Sequence, residues 1–519
     1  MKRNKVILVN PGLHFQMLEV REGLYPNTAI MILATILHNA GFRVKVIDGR
    51  YLTFNDAVES ISREIDQELS FIGFSVMTVQ LPWAYRASQA IKSRHPSTVI
   101  VWGGAHPSLF PEQTVEDPAV DIVVVNDAAA TINSLSLKIS EASDLATTPG
   151  IFYKDNSNII KTSPNQDTDD FNNVPYIDFS LIDHKRYSRN NNMAMEEFYG
   201  GDHKDSIVYP LLAGLGCSYR CTFCINVILN RKYYFRSAPE IIERIKFLQR
   251  NYGADFIHPM DENFFISKKR TFELLDLLEK ENIHVKWRPQ ARSDHFSDDY
   301  INIDVAKRLE RSGMIVAAMG AESASKEMLD KLRKDLNVEQ MINAVEVLSK
   351  TNIVPKMNFM VGLPGETEAD IKKTFQLAFK LRRMVKKSCI SVVSFRPYPG
   401  SELYNEIVSK YEYVPPSNLS DWVKLSEREL RENSGYETFE HYKWIENARG
   451  LKERLYVYNH VAWYKPGRYA GIRALVSSVR LHLNFFRLIS FETKFFNALL
   501  TLAALRSKMN VFTSKTDTA

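Results

Sequence analysis

The chain has 519 residues, 45% of them apolar and 24% charged, with a net charge of +5. That length exceeds one ordinary core and implies two or three domains, and so small a charge excess makes no electrostatic case for nucleic acid. Four cysteines argue against a secreted disulfide scaffold and for a reducing, cytoplasmic setting; no run reaches the ~20 apolar residues of a membrane span, and no apolar signal region precedes Lys5.

Residues 1–145 alternate short β-branched runs with helical patterns. Val6–Val9, Val44–Asp48, Phe71–Ser75, Val99–Gly104 and Asp121–Val125 read as strands, and Thr28–Ala40, Ala57–Leu69 and Pro82–Arg94 as helices. The alternation predicts an α/β domain with a doubly wound parallel sheet, which takes ligands in loops at the carboxyl ends of its strands. The candidate loops start at Pro11, at Ser75–Thr78 and at Gly103-Gly104-Ala105-His106-Pro107. The glycine pair serves either a close approach of backbone to a ligand or a tight strand exit. His106 reads as a hydrogen-bonding loop residue or a metal ligand, and Met77 as a ligand-facing side chain or a strand-end core residue.

Residues 146–204 are polar and broken and read as a linker carrying a short hairpin, Gly150–Lys154 with Ile159–Thr162. Ser206–Ala213 then forms a strand that delivers Gly216-Cys217-Ser218-Tyr219-Arg220-Cys221-Thr222-Phe223-Cys224. Three of the four cysteines thus fall in one C-x3-C-x2-C loop. Structural zinc sites use four protein ligands, commonly in two pairs, and no second pair exists here. Iron–sulfur cubanes are held by thiolates, so three in a tight loop would leave one iron open to a substrate or cofactor. A disulfide, or a zinc completed by a distant histidine, are the plainer alternatives.

From residue 205 to 405 strand–helix alternation continues. The strands are Phe256–Met260, Val285–Ala291, Ile315–Met319, Pro355–Val361 and Ile390–Phe395, and the helices Pro239–Tyr252, Phe272–Glu281, Asp304–Ser312, Val338–Thr351 and Glu368–Lys380. This pattern predicts a partial parallel barrel with polar residues at its strand ends: Asp261-Glu262-Asn263, Arg292, Gly320 with Glu322-Ser323, and Gly362-Leu363-Pro364-Gly365-Glu366. Singly, each could be a cap, a tight turn or an ion pair. Cys389 in the last strand reads as a small core residue, or else as a spare reactive thiol.

Residues 406–519 read as helical, without a legible motif up to 460. Arg473, Arg480, Arg487 and Lys494 then recur every seven residues among apolar positions. That stripe suits either a solvated face of a docked helix or contact with an anionic membrane surface.

The cysteine loop, with its leading glycine and the aromatic before Cys224, resembles that of the radical S-adenosylmethionine (SAM) superfamily. The resemblance implies that Cys217, Cys221 and Cys224 bind a [4Fe–4S] cluster whose open iron takes the methionine part of SAM. It further implies that Asp261, Glu262, Asn263, Arg292, Gly320, Glu322, Ser323, Gly362 and Pro364 line the SAM pocket. The first domain, through Ser75-x-Met77-Thr78 and Gly103-Gly104-x-His106-Pro107, resembles the cobalamin-binding domain that precedes many such barrels. These six residues (Ser75, Met77, Thr78, Gly103, Gly104 and His106) would then face cobalamin. Two features depart from that family. The D-x-H-x-x-G motif is absent, and Asn126-Asp127-Ala128-Ala129 stands where Gly-Glu-Gly-Glu is usual, which removes two glycines from the loop.

The implied activity is cobalamin-dependent methyl transfer to an unactivated carbon or phosphorus of a small molecule, lipid-like or a natural-product intermediate. A flavodoxin- or ferredoxin-type protein would supply electrons, and the C-terminal stripe would give any peripheral membrane contact. The rivals are another radical rearrangement or cyclisation on the same scaffold, and a non-catalytic iron–sulfur protein with a decayed cobalamin site.

Overall fold

The computed structural model describes residues 3–13, 25–156, 158–165, 171, 173–187, 206–385, 387–432, 443–446, 450–451, 454–455 and 458. The basic stripe from Arg473 to Lys494 lies outside the described residues.

The first sheet has seven strands in the order β2-β1-β3-β4-β5-β6-β7: Lys5–Asn10 (β1), Arg43–Asp48 (β2), Leu69–Ser75 (β3), Ile100–Gly103 (β4), Ile122–Val124 (β5), Ile151–Asp155 (β6) and Asn158–Lys161 (β7). Strands β1 to β5 pair in parallel, and β5, β6 and β7 pair antiparallel. Apolar side chains on both faces make two cores, one under the Phe54–Arg63 and Leu81–Arg94 helices, the other under Thr28–Asn39 and Ile132–Glu141. Strands buried on both faces need continuous apolar runs, as in Val6-Ile7-Leu8-Val9. The order 2-1-3-4-5 reverses direction between β1 and β3, the place where such sheets bind ligands. The hairpin expected within the linker instead extends this sheet through β6. The second helix runs over Phe54–Arg63 rather than Ala57–Leu69, because the Thr53 hydroxyl caps it by accepting from the Asp56 N–H.

The second unit is an open barrel of parallel strands. Val208–Leu211 (β8), Phe256–Pro259 (β11) and Lys286–Trp287 (β12) form one piece. Gln290–Ala291 (β13), Val316–Glu322 (β14), Val354–Val361 (β15) and Cys389–Ser394 (β16) form the other. The strand expected over Val285–Ala291 is broken in two because Pro289, lacking an N–H, cannot continue the ladder. A short antiparallel pair, Gly214–Leu215 (β9) with Tyr234–Phe235 (β10), brackets the cysteine loop. The helix expected over Phe272–Glu281 starts four residues earlier, at Lys268, where the Ser267 hydroxyl accepts from the Arg270 N–H.

After the barrel come helices Glu402–Lys410 and Leu419–Glu432, separated by Pro415-Pro416. The second helix returns to the first sheet, where Leu419, Trp422 and Val423 join the core built on Trp83 and Trp102.

Candidate active site between two sheets

The carboxyl ends of the two sheets meet. A side chain at Gly400, beyond β16, would touch both Leu109, beyond β4, and Ile228, on the helix that ends the cysteine loop. Tyr25, from the loop after β1, stands edge-on to His258 of β11 at 5.0 Å.

The cysteine loop is fixed from several sides. Gly216 has φ +75°, and a Cβ there would collide with the Lys232 carbonyl, so glycine is required. Thr222 donates from its N–H to the Leu332 carbonyl at 3.1 Å and from its hydroxyl to that of Lys331 at 3.2 Å. The Arg292 guanidinium lies 3.6 Å from the centre of the Tyr219 ring. It also donates to Asp294 at 3.0 Å and to the carbonyls of Lys334 and Asp335 at 2.7 and 3.1 Å. Arg292 therefore braces the loop from beneath.

All four cysteines are free thiols, which removes the disulfide alternative. Burial pushes the Cys217 and Cys221 thiols above their ordinary value, with Cys224 adding to the effect at both and Arg292 opposing it. Lys334 also opposes it at Cys221. Among the described residues no three His, Cys, Asp or Glu side chains converge on the place of a single ion. A cluster does not require that, since its thiolates each take a different iron. The grouped free thiols and the cations beside them fit a [4Fe–4S] cluster.

At the end of β11 the expected carboxylates separate. Asp261 is buried; Arg270 donates to its Oδ1 at 3.2 Å, while Oδ2 has no hydrogen-bond partner. Burial pushes Asp261 up to about 6. Glu262 is exposed, and desolvation by the surrounding walls raises its pKa. Both polar atoms of the buried Asn263 side chain lack partners. Such orphaned groups at one strand end fit a polar ligand.

At the end of β14 a side chain on Gly320 would strike Glu322 and crowd Lys334, so this glycine makes room for a buried ion pair. Lys334 donates to Glu322 at 2.9 Å, and Glu322 holds a left-handed φ of +63°. A non-glycine residue there is strained and is held by its surroundings. Ser323 is buried, its hydroxyl 3.3 Å from that of Thr374. After β15, Glu366 accepts from the N–H groups of Gly362 and Leu363 at 2.6 and 3.1 Å, while its Oε1 has no partner. Burial pushes Glu366 up to about 7. The Pro364 carbonyl accepts from Lys331 at 2.7 Å.

In the first sheet, Met77 is half exposed beyond β3 and Ser75 partly exposed. Gly104 has φ +102°, and a Cβ there would lie 2.7 Å from the Val76 N atom, whereas one on Gly103 would meet nothing nearer than 3.7 Å. Gly104 therefore meets the tight-exit reading and Gly103 the open one. His106 is fully buried, with Nδ1 3.3 Å from the Thr78 hydroxyl and Nε2 without a partner. Burial holds its pKa down at about 3, so it is neutral. Asn126 adopts φ +60°, a conformation asparagine tolerates better than most residues. The loop thus keeps a left-handed turn without its usual glycine, and an exposed Met77 beside an open Gly103 fits a broad planar ligand such as cobalamin.

Sequence reasoning missed Trp422. Its indole N–H donates to Gln113 at 3.0 Å, and its ring lies 5.4 Å from His106 and 4.7 Å from Phe110. The Ser426 hydroxyl donates to the Thr78 carbonyl at 3.0 Å. The remaining signal was a Trp–Val pair on a charged helix, which does not name its partner.

A sheet with a ligand edge, facing an open barrel that carries a three-thiol loop, sets a place for a flat ligand beside a place for a metal cluster. Residues 211–378 match the Radical SAM superfamily and residues 17–136 the B12 binding domain. The chain carries a radical SAM domain and an N-terminal B12-binding domain, and their cofactors are a [4Fe–4S] cluster, SAM and cobalamin. It is 25% identical over 434 residues to an uncharacterized methyltransferase of Pyrococcus horikoshii, covering 82% of this chain and 87% of that protein. It is 24% identical over 454 residues to the anaerobic magnesium-protoporphyrin IX monomethyl ester cyclase of Rubrivivax gelatinosus, covering 84% and 77%. The fold is similar to that of TsrM, a radical SAM methyltransferase of Kitasatospora setae solved with cobalamin and a [4Fe–4S] cluster, with a TM-score of 0.62, 18% identity and 80% of each chain covered. Among the described residues no helix is long and apolar enough to cross a membrane.

Proposed function

We propose that this enzyme moves a methyl group onto an unactivated carbon or phosphorus of a small molecule held between the two sheets. The observation that carries the reading is the meeting of Leu109, Gly400 and Ile228, which brings the first sheet's ligand edge to the cysteine loop. When bound, the cluster and SAM supply a 5′-deoxyadenosyl radical, and cobalamin supplies the methyl group.

In this reading Cys217, Cys221 and Cys224 hold the cluster, and the Arg292–Tyr219 contact keeps their loop in place. Glu262, exposed at the end of β11, meets the ammonium of SAM, while Asp261 and Asn263 supply buried acceptors behind it. Arg292 acts here by positioning, because its hydrogen bonds go to the protein itself. Gly320, Glu322 and Ser323 shape one wall, and Gly362 and Pro364 another. Ser75, Met77, Thr78, Gly103 and Gly104 cradle cobalamin, with neutral His106 beneath them supporting Thr78. A flavodoxin- or ferredoxin-type protein donates the electrons.

Anaerobic reconstitution tests the reading. The wild-type chain should show cluster absorption and an EPR signal, bind cobalamin, and yield both 5′-deoxyadenosine and S-adenosylhomocysteine from SAM. Cluster signals that survive Cys221→Ala would overturn the metal assignment. 5′-Deoxyadenosine without S-adenosylhomocysteine would favour a rearrangement over methyl transfer.

A further inference from the structure

The loop that ends β15 is held by residues far beyond it in the chain. Three consecutive carbonyls, from Gly362 to Pro364, are each taken by a protein donor. The Trp444 indole N–H donates to Gly362 at 2.9 Å, the Glu366 N–H to Leu363 at 3.0 Å and the Lys331 ammonium to Pro364 at 2.7 Å. The Glu366 carboxyl in turn accepts from the Gly362 and Leu363 N–H groups. Gly362 has φ +80°, and without a side chain the peptide that follows it could rotate at little steric cost. With its carbonyl on Trp444 and its N–H on Glu366, that peptide is pinned at both ends.

Trp444 lies beyond residues 211–378, the stretch that matches the Radical SAM superfamily. It is buried, and Leu451, Leu455 and Tyr458 join it in the barrel core. Helical spacing puts 451, 455 and 458 on one face. Tyr458 donates to the Ile390 carbonyl of β16 at 3.0 Å and stands edge-on to Phe375 and Phe379 of the Glu368–Met384 helix. A Cβ on Gly362 would lie 3.0 Å from Ile445 and 3.2 Å from Leu451. Trp444 rests against Tyr411, at the end of the Glu402–Lys410 helix, and that helix also carries Glu406, ion-paired with Lys331. One outer layer therefore backs both the Gly362 and the Pro364 carbonyl. The Lys331 carbonyl accepts from Thr222 of the cysteine loop, which ties this strand end to the thiols.

We infer that Trp444 is a positioning residue for SAM: it fixes the Gly362–Leu363 peptide, and with it the wall that Gly362 and Pro364 give the cofactor. That role rests on the reading of these two residues as part of the SAM pocket. Trp444 acts from outside the pocket, through the backbone. Losing its donor would leave a buried carbonyl unpaired beside a glycine, the condition that drives a peptide to rotate.

Trp444→Phe keeps a ring in place and removes the donor. In the anaerobically reconstituted full chain, SAM affinity is read from the change SAM causes in the cluster's EPR spectrum. Iron and cobalamin content are measured on the same sample, and 5′-deoxyadenosine formation gives KM and kcat. Trp444→Phe should weaken SAM binding about tenfold and raise KM to match, with kcat, iron and cobalamin at wild-type values. Parallel losses of iron, cobalamin and SAM binding would mark a merely structural role and overturn the inference. Pro364→Ala alters the wall itself and should also weaken SAM binding. If it does and Trp444→Phe does not, the positioning role fails while the wall stands. If Pro364→Ala has no effect, the wall fails and the positioning role with it. The wild-type chain gives a test that needs no variant. SAM should slow hydrogen exchange at 443–446 as well as at 362–366, because coupling between two sites is reciprocal; an unchanged rate at 443–446 would overturn the role of Trp444.

Discussion

Trp422→Ala should release the Leu419–Glu432 helix from the first sheet and loosen the cobalamin edge without unfolding the protein. Trp422 is 2% exposed. A buried tryptophan covers about 200 Å2, which at about 25 cal/mol per Å2 gives ~5 kcal/mol as an upper bound. Losing the hydrogen bond to Gln113 adds about 1 kcal/mol. Leu419, Val423 and the partly buried Leu425 are the helix's other contributions to that core, so undocking one helix is the less costly response. His106 would then lose its cover. Its pKa is held at about 3 by burial, and exposure should return it toward the ordinary ~6.5. The sign follows from proton binding: as pH falls from ~6.5 toward ~3, the unfolded chain takes up a proton that folded wild type refuses. Wild-type stability therefore drops through this window, by up to ~1.4 kcal/mol per pH unit from His106. In Trp422→Ala that share of the drop should vanish, while the share from His258, likewise held down at about 3 by burial, remains. Hydrogen exchange should rise in residues 78–80, 105–116 and 419–428, the NMR titration of His106 should shift upward, and cobalamin should bind more weakly. Trp422→Phe should retain much of the wild-type behaviour. Unchanged protection at 105–116 together with an unchanged His106 titration would refute the reasoning.

Glu366 is held near 7 by burial, so its proton stabilises the folded chain fully below the ordinary carboxylate range and less as pH rises toward 7. Glu366→Gln keeps an acceptor for the Gly362 and Leu363 N–H groups. Its melting temperature should equal that of wild type at about pH 5 and exceed it at about pH 8; Glu366→Ala should lie about 2–3 kcal/mol below Glu366→Gln at both. Gly216→Ala should halve or abolish iron and sulfide incorporation, because its Cβ meets the Lys232 carbonyl. Gly41→Ala, equally left-handed at φ +86° but with nothing within 4 Å, should cost about 1 kcal/mol and incorporate iron normally.

The sequence by itself determined the element order, the three-thiol loop and the polar strand ends, because these are local: strand alternation, spacing within eight or nine residues, and turn chemistry. It also signalled both families, since Gly103-Gly104-x-His106-Pro107 and Gly362-Leu363-Pro364-Gly365-Glu366 carry their meaning in contiguous residues. Two kinds of feature were less legible: single-residue local signals, and features that depend on residues far apart in the chain. Thr53 and Ser267 moved helix starts through single side-chain caps, and Pro289 split a strand that reads as continuous. Asp261 and Arg292 read as cofactor ligands, yet Arg270 and the Lys334–Asp335 carbonyls are their observed partners. Only the tertiary structure sets Trp422 over His106, 316 positions earlier in the chain (422 − 106). It alone sets Lys356 of β15 beside Cys389 of β16. The physical reason is that a side chain's pairing and burial are decided by which distant strand or helix the fold brings against it, and local pattern carries no record of that neighbour.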